Sequence, residues 1–128
     1  MSVVLDSSAI LALILGEPGG ETVAAQLHDA VTSTVMLAEV YGYAARNDHP
    51  FDAYDAFFQS SRIEVVPLGS GEAEFAGRLV ATTRSAGLSL GDRCCLALAR
   101  SRDTPVLTAD HSWANFAEPL DMKITLIR

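Results

Sequence analysis

Four acidic residues stand in surroundings where a carboxylate is either costly or well placed for chemistry. Asp6 and Asp110 closely follow short apolar runs that are rich in β-branched residues. Glu39 is the single charge in the nearly continuous apolar stretch 35–41, and Asp92 opens a segment of small and apolar residues. If folding gathers them, two carboxylates about 4 Å apart repel by roughly 4 kcal/mol at an effective dielectric constant of 20. A hard divalent ion such as Mg²⁺ or Mn²⁺ prefers oxygen ligands and would remove that repulsion.

Each acid also has a structural explanation when it is taken alone. Asp6 can cap a helix that begins just after it, and Asp110 can cap or close the turn before residues 112–116. Asp92 stands three residues after Ser89, which is the spacing of a reciprocal helix cap. Glu39 can be a surface glutamate on a narrow polar stripe, because an unpaired buried carboxylate is costly. The residues alone leave these alternatives open.

The elements that must position these acids alternate between strands and helices. Apolar, β-rich runs predict strands at 2–5, 63–66, 105–108 and 123–127, and a short strand or helix approach at 31–33. Helices are predicted at 7–15, 21–29, 34–47, 51–61, 70–86 and 89–102, with a helical turn at 112–116. Ser7 or Ser8 is expected to cap the first helix. This order predicts an α/β domain with a mostly parallel central sheet, which binds ligands beyond the carboxyl ends of its strands.

Composition limits the class of protein. The 128 residues are 49% hydrophobic and 20% charged, which predicts one globular domain over residues 1–128. No apolar run is long enough to span a membrane, and no basic segment typical of a signal peptide precedes the first apolar residues, so we expect a cytoplasmic location. The net charge of −7 excludes a protein that grips nucleic acid by bulk positive charge.

The remaining residue types with chemical potential show no spacing typical of a site. Cys94 and Cys95 are adjacent, so in a helix they point about 100° apart and predict buried, reduced thiols. His111 follows Asp110, and a role for it as a general base is an alternative to a surface position. Residues expected to pack in the core, with a partner-binding groove as the alternative for the first four, are Phe51, Tyr54, Phe57, Phe58 and Trp113.

Taken in order, the acidic segments resemble the PIN-domain family and, more narrowly, the VapC toxins of bacterial type II toxin–antitoxin pairs. The segments are VVLDSSA at 3–9, LAEV at 37–40, LGD at 90–92 and LTAD at 107–110, and the resemblance covers essentially the whole chain. It implies a three-layer α/β/α fold with Asp6, Glu39, Asp92 and Asp110 in one pocket. It also implies that Asp6 and Asp92 lie close to Mg²⁺ or Mn²⁺, while Glu39 and Asp110 complete the pocket partly through water.

The resemblance implies a metal-dependent ribonuclease. The ion would lower the pKa of a water molecule, Glu39 or Asp110 would orient or deprotonate that water, and the products would carry a 5′-phosphate and a 3′-hydroxyl. A hydroxyl of Ser7, Ser8 or Thr108 can assist. A fifth metal ligand is not expected, because His-Ser-Trp stands at 111–113 where the family often has a second acid or an asparagine.

The same resemblance implies an RNA substrate, a cognate antitoxin and a homodimer. An antitoxin segment bearing arginine would place a guanidinium in the metal pocket. Arg93 follows Asp92, and Arg46 lies seven residues after Glu39 on nearly the same helical face, so either can hold the RNA backbone. The alternative is that both are ordinary surface arginines.

Two other functions compete with this hypothesis. Asp6 could be the phosphoacceptor of an aspartyl phosphoryl-transfer protein, but the sequence lacks a neighbouring second acid, and Lys123 stands at the start of the last predicted strand instead of following a late strand. The chain could also be an inactive PIN-like module that binds or regulates a partner. Four intact acids argue against the latter.

Overall fold

A parallel five-stranded sheet forms the centre of the computed structural model, which describes residues 2–128. Its order along the sheet is β3-β2-β1-β4-β5, and every neighbouring pair is parallel. The predicted parallel sheet of an α/β fold is therefore confirmed. The strands within this range are β1 (Val3–Leu5), β2 (Ala30–Ser33), β3 (Glu64–Val66), β4 (Val106–Thr108) and β5 (Ile124–Leu126).

Helices fill the connections between these strands. Within residues 2–128 they are α1 (Ser7–Leu15), α2 (Gly20–Ala24), α3 (Thr34–Arg46), α4 (Asp52–Ser60), α5 (Ser70–Arg78), α6 (Val80–Thr83) and α7 (Leu90–Ser101). Short 3₁₀ turns follow at Leu27–Asp29, Arg84–Ala86 and His111–Phe116. Within the same range, no helix has both the length and the apolarity that crossing a bilayer requires.

The helix predicted over residues 70–86 is wrong in extent, because the structure divides it into α5, α6 and a 3₁₀ turn. The β-branched residues Val80, Thr82 and Thr83 weaken the helix in its second half. The hydroxyl of Thr83 also donates to the carbonyl of Leu79 at 2.8 Å, a bond that bends helices. The predicted helix 21–29 is likewise shorter, since α2 ends at Ala24.

The first helix is capped by Asp6, so the expectation of a Ser7 or Ser8 cap is wrong. Asp6 has the extended backbone that a cap requires, with φ −82° and ψ 175°, and its carboxylate accepts from the amide of Ala9. Ser7 and Ser8 are already helical and cannot fill that position. At α7 the expected reciprocal cap between Ser89 and Asp92 is present.

The core surrounds β1, the strand at which the order of the sheet reverses. All three residues of β1 are buried, as expected for a strand covered on both faces. Helix α7 packs on β1 and β2, with the free thiols of Cys94 and Cys95 buried as predicted. The carboxyl end of β1 therefore lies at a topological switch point, where α/β sheets form ligand crevices.

The aromatic residues divide between core and surface. Trp113 and Tyr54 are buried, which confirms their predicted packing role. Phe57 and Phe58 are half-buried against the core, whereas Phe51 is 47% exposed and contacts the ring of Tyr41. The prediction that Phe51 belongs to the core is wrong, because it stands just before α4 at the edge of the cluster.

Candidate functional site

Asp6 is the most deeply placed acid of the site. It directly follows β1, and its side chain is almost fully buried at 3% exposure. Its Oδ1 accepts from the Ser8 hydroxyl at 2.6 Å and from the Ala9 amide at 2.8 Å, while Oδ2 accepts from the Thr108 hydroxyl at 2.6 Å. These bonds hold the carboxylate in one orientation at the carboxyl end of the sheet.

Two hydroxyls connect Asp6 to the segment that follows β4. The Thr108 hydroxyl accepts from the Asp110 amide at 3.0 Å, and the Ser8 hydroxyl accepts from the Ala109 amide at 2.9 Å. Because each hydroxyl also donates to Asp6, the ends of the two central strands are fixed to each other. Both hydroxyls thus position residues of the candidate site.

Glu39 reaches the same region from α3. Its half-buried carboxylate lies against the start of α7, where a Cβ added to Gly91 would collide with Glu39 Oε2. The absence of a side chain at Gly91 is therefore what allows the carboxylate to approach α7 so closely. The Ser7 hydroxyl is close enough to the Glu39 carboxylate to favour its ionised form.

Asp92 completes a group of three neighbouring acids. Its Oδ2 accepts from the Ser89 amide at 3.1 Å, and the Ser89 hydroxyl in turn accepts from the Asp92 amide at 3.1 Å. The capping bond engages only one carboxylate oxygen. The charge of Asp92 acts on both Asp6 and Glu39, so folding brings these three predicted residues together.

Burial and the charge of Asp92 raise the proton affinity of Asp6 and of Glu39. Burial is the main cause that raises the pKa of Asp6 to about 6, against the opposing hydrogen bonds from Ser8, Thr108 and Ala9, and the Asp92 charge raises it further. Burial also raises the pKa of Glu39, as does Asp92, whereas Ser7 and Arg46 favour its ionised form.

The buried thiol of Cys95 is close enough to the acids to be affected by their charges. Burial first, and then the carboxylates of Asp6, Asp92 and Glu39, raise the pKa of Cys95 well above its ordinary value. Cys95 is therefore a neutral, buried thiol that closes the floor of this region.

An open hollow of about 310 Å³ lies over the acids, between α1, α3 and the start of α7. The side chains around it are carboxylates, hydroxyls, one guanidinium, one aromatic ring and one leucine. They belong to Ser7, Ser8, Leu11, Glu39, Tyr43, Arg46 and Asp92. Sequence analysis missed Leu11 and Tyr43, although helical spacing from Ser7 and Glu39 is the signal that could have found them.

Asp110 and Arg93 do not line this hollow. The exposed Asp110 carboxylate accepts from the Ser112 amide at 3.0 Å and from the Ser112 hydroxyl at 2.7 Å, and so caps the 3₁₀ turn that follows. Its backbone is joined to Asp6 only through Thr108. Arg93 turns away and donates to the carbonyl of Ala76 at 2.9 Å.

The donor set fits a hard divalent cation by its chemistry. Within residues 2–128, no three His, Cys, Asp or Glu side chains are arranged as a group that could hold a metal ion, and the Asp110 carboxylate is bonded to Ser112. The groups that meet at the hollow nevertheless offer oxygen ligands alone, as Mg²⁺ and Mn²⁺ prefer. Burial, with the added charge of Asp92, raises the pKa values of Asp6 and Glu39, and a bound cation would offset both causes. These residues fit such an ion.

Comparison with known proteins gives one family and several similar folds. A sequence model of the PIN domain matches residues 3–119, and no curated protein matches the chain. A chain of the DNA-bound VapBC from Salmonella typhimurium is 19% identical with a TM-score of 0.77, and the match covers 100% of this chain and 99% of that one. VapBC2 from Rickettsia felis, bound to a DNA fragment from their promoter, gives 14% identity and 0.76, with 98% of each chain covered.

A third structure with a similar fold is that of a toxin. VapC20 from Mycobacterium tuberculosis, described as a sarcin–ricin loop cleaving toxin, is 17% identical with a TM-score of 0.75. The match covers 88% of this chain and 93% of that one. At these identities the three structures establish a shared fold and nothing more.

Proposed function

This chain belongs to the PIN domain family, and from that premise we propose that it is a metal-dependent endoribonuclease, the toxin of a VapC-type toxin–antitoxin pair. The observation that carries the proposal is the meeting of Asp6, Glu39 and Asp92 at one end of the sheet, beside an open hollow. The description of one similar fold as an RNA-cleaving toxin supports the choice of substrate.

In this proposal Asp6 and Asp92 are the ligands of Mg²⁺ or Mn²⁺, and Glu39 lies next to the attacking water molecule. The ion, when bound, supplies Lewis-acid polarisation of the phosphate and lowers the pKa of water. Asp6 is held for this task by Ser8 and Thr108, so little reorganisation is needed when it binds.

Glu39 is the acid best placed to accept a proton. It is half-buried, its pKa is raised by burial, and its carboxylate lies against Gly91 at the start of α7. It takes the proton from water as the oxygen attacks phosphorus, the bond to the 3′ oxygen breaks, and that oxygen takes up a proton from solvent. The products then carry a 5′-phosphate and a 3′-hydroxyl.

In this proposal Asp110 and Arg46 act at the periphery of the site. Asp110 is exposed and next to the Thr108 contact with Asp6, so it completes the site through water. Arg46 lines the hollow and offers a positive charge to the RNA backbone. Arg93, which is committed to Ala76, has no such part.

The proposed partners follow from charge. The chain has a net charge of −7, and its hollow is bordered by carboxylates, so an antitoxin segment bearing arginine can occupy the position of the cation. Toxin–antitoxin complexes with the same fold support this part of the proposal. We further propose a homodimer that acts in the cytoplasm.

The test is cleavage of RNA by the purified chain with Mg²⁺, with Mn²⁺ and with chelator. We expect cleavage only with a divalent ion, and a loss of at least about 100-fold in Asp92→Asn, because an ion at this site stabilises transition-state charge by several kcal/mol. Expression of the wild type in a bacterial host should arrest growth, whereas Asp6→Asn should not. Equal cleavage by Asp92→Asn, or cleavage in chelator, would falsify the proposal.

A non-catalytic binding module is the second candidate. Two observations favour it. The Asp110 carboxylate is hydrogen-bonded to Ser112, and the described residues 2–128 contain no group of three His, Cys, Asp or Glu side chains that could hold a metal ion. This candidate predicts that wild type and Asp6→Asn permit equal growth and that neither cleaves RNA.

A further inference from the structure

Side chains of different chemical character follow one another along one face of α3. Glu39, Tyr43 and Arg46 are spaced by four and three residues, so their side chains share one face, and all three line the hollow. Leu11 of α1 lines the same hollow. Going away from the acids, the wall therefore changes from carboxylate to aromatic ring to guanidinium.

Tyr43 offers a supported ring. Its side chain is half-buried, and the imidazole of His49 meets it edge-on with 5.9 Å between the ring centres. The ring thus contacts His49 while part of it borders the hollow. An aromatic ring with a supported position loses little entropy when a flat group stacks on it.

Arg46 is available for a ligand. Among residues 2–128 it forms no hydrogen bond and no ion pair within 4.0 Å, and it is exposed. Its Nη1 would be 3.3 Å from a Cβ placed on Gly42, so the guanidinium lies back along α3, toward Tyr43 and the acids. A fork of donors beside an aromatic ring is suited to a phosphate next to a base.

We propose that Leu11, Tyr43 and Arg46 form a nucleotide subsite, in which an unpaired nucleobase stacks on Tyr43 beside Leu11 while Arg46 binds a phosphate. The subsite places the nucleotide next to the bond that the acids cleave, and in that respect it rests on the proposed function. Stacking on a tyrosine accepts every base, so this contact selects single-stranded over paired RNA.

The first experiment separates the base from the phosphate. Adenosine 5′-monophosphate and ribose 5-phosphate are titrated into the protein in Mg²⁺ and followed by NMR. We expect the nucleotide to bind at least about fivefold tighter, with ring-current shifts of its base protons. Tyr43→Leu should remove the difference and Tyr43→Phe should retain it. Equal binding of the two ligands, no detectable binding of either, or an unchanged difference in Tyr43→Leu overturns the subsite.

The second experiment concerns the guanidinium. Binding of a short single-stranded oligoadenylate is measured against salt concentration for Arg46→Gln and for the control Arg62→Gln. Arg62 is exposed and precedes the edge strand β3, so it lies at the amino end of the sheet, whereas the acids lie at the carboxyl end. We expect Arg46→Gln to reduce the slope of log K against log salt by about 0.7, the value for one phosphate contact on a single strand, and Arg62→Gln to leave it unchanged. Equal slopes in both variants contradict the phosphate contact.

The two proposals fail in different ways. Asp92→Asn should abolish cleavage and leave the base-dependent difference in binding intact. A base-dependent difference without any metal-dependent cleavage would remove the nuclease and keep the subsite. Cleavage by the wild type without a base-dependent difference would remove the subsite and keep the nuclease.

Discussion

At the scale of single residues, capping and chemistry are carried by the same acids. The sequence offered a structural and a functional explanation for each acid as alternatives. The structure shows that Asp6 caps α1 and Asp92 caps α7 while both belong to one acidic group. A cap uses one carboxylate oxygen and also brings the side chain to a helix N-terminus. In Asp92 the other oxygen stays available, whereas in Asp6 the Thr108 hydroxyl orients the second oxygen.

Asp6→Asn should stabilise the metal-free protein at neutral pH. The folded pKa of about 6 lies above the ordinary 3.8, so the stability contributed by protonated Asp6 is present at acid pH and is lost as pH rises from about 4 to 6. The loss amounts to at most roughly 3 kcal/mol. Asparagine keeps the helix cap and remains neutral.

Melting temperatures in chelator at two pH values measure this effect. We expect Asp6→Asn to melt well above the wild type at pH about 7.5 and close to it at pH about 4.5. Asp121→Asn is the matched control, because Asp121 is exposed and its left-handed backbone suits asparagine equally. A wild type whose advantage over Asp6→Asn grows with pH would contradict the argument.

At the scale of elements, the site depends on how closely α3 approaches α7. The sequence predicted both helices and the N-terminal cap of α7, since apolar spacing and capping residues are local signals. It could not predict that Glu39 would lie on Gly91, nor that Asp110 would turn to Ser112, because these contacts depend on the packing of distant segments. The division of residues 70–86 was also hidden, since it depends on a side-chain bond of Thr83.

Gly91→Ala should damage the site more than the fold. A methyl group there would collide with the Glu39 carboxylate and displace it, so we expect cleavage to fall at least about tenfold. Alanine favours a helix over glycine by roughly 0.5–1 kcal/mol, which offsets part of the strain. The measurements are kcat and melting temperature.

Gly71→Ala is the control for that substitution. Gly71 is the second residue of α5, as Gly91 is of α7, and a Cβ on it would meet no atom within 4 Å. This variant should keep full activity and should melt at or above the wild-type temperature. If both variants keep full activity, the close approach at Gly91 has no part in the chemistry.

At the scale of the whole molecule, the net charge of −7 and the cluster of acids both indicate that the protein depends on cations. The α/β class could be predicted from the order of elements, and its strands end where three of the acids meet. The predicted pocket of four acids depended on the family resemblance. Local patterns do not give distances between segments far apart in the chain.

Mn²⁺ or Mg²⁺ should raise the melting temperature of the wild type in proportion to the logarithm of its concentration, because an ion that binds only the folded chain stabilises it by mass action. At 100 times the dissociation constant the gain is about 2.7 kcal/mol. Burial raises the pKa of Asp6 to about 6 and the Asp92 charge raises it further, so protons compete with the ion near pH about 5 and the gain should be larger at neutral pH.

Asp92→Asn should lose this response, whereas Asp110→Asn should keep most of it, because the Asp110 carboxylate is exposed and bonded to Ser112 outside the hollow. Calorimetric titration with Mn²⁺ distinguishes the two variants directly. An undiminished shift in Asp92→Asn would place the ion elsewhere on this acidic surface. The converse pattern, with the response lost in Asp110→Asn alone, would mean that the turn after β4 rearranges when the ion binds and that Asp110, not Asp92, is its main ligand.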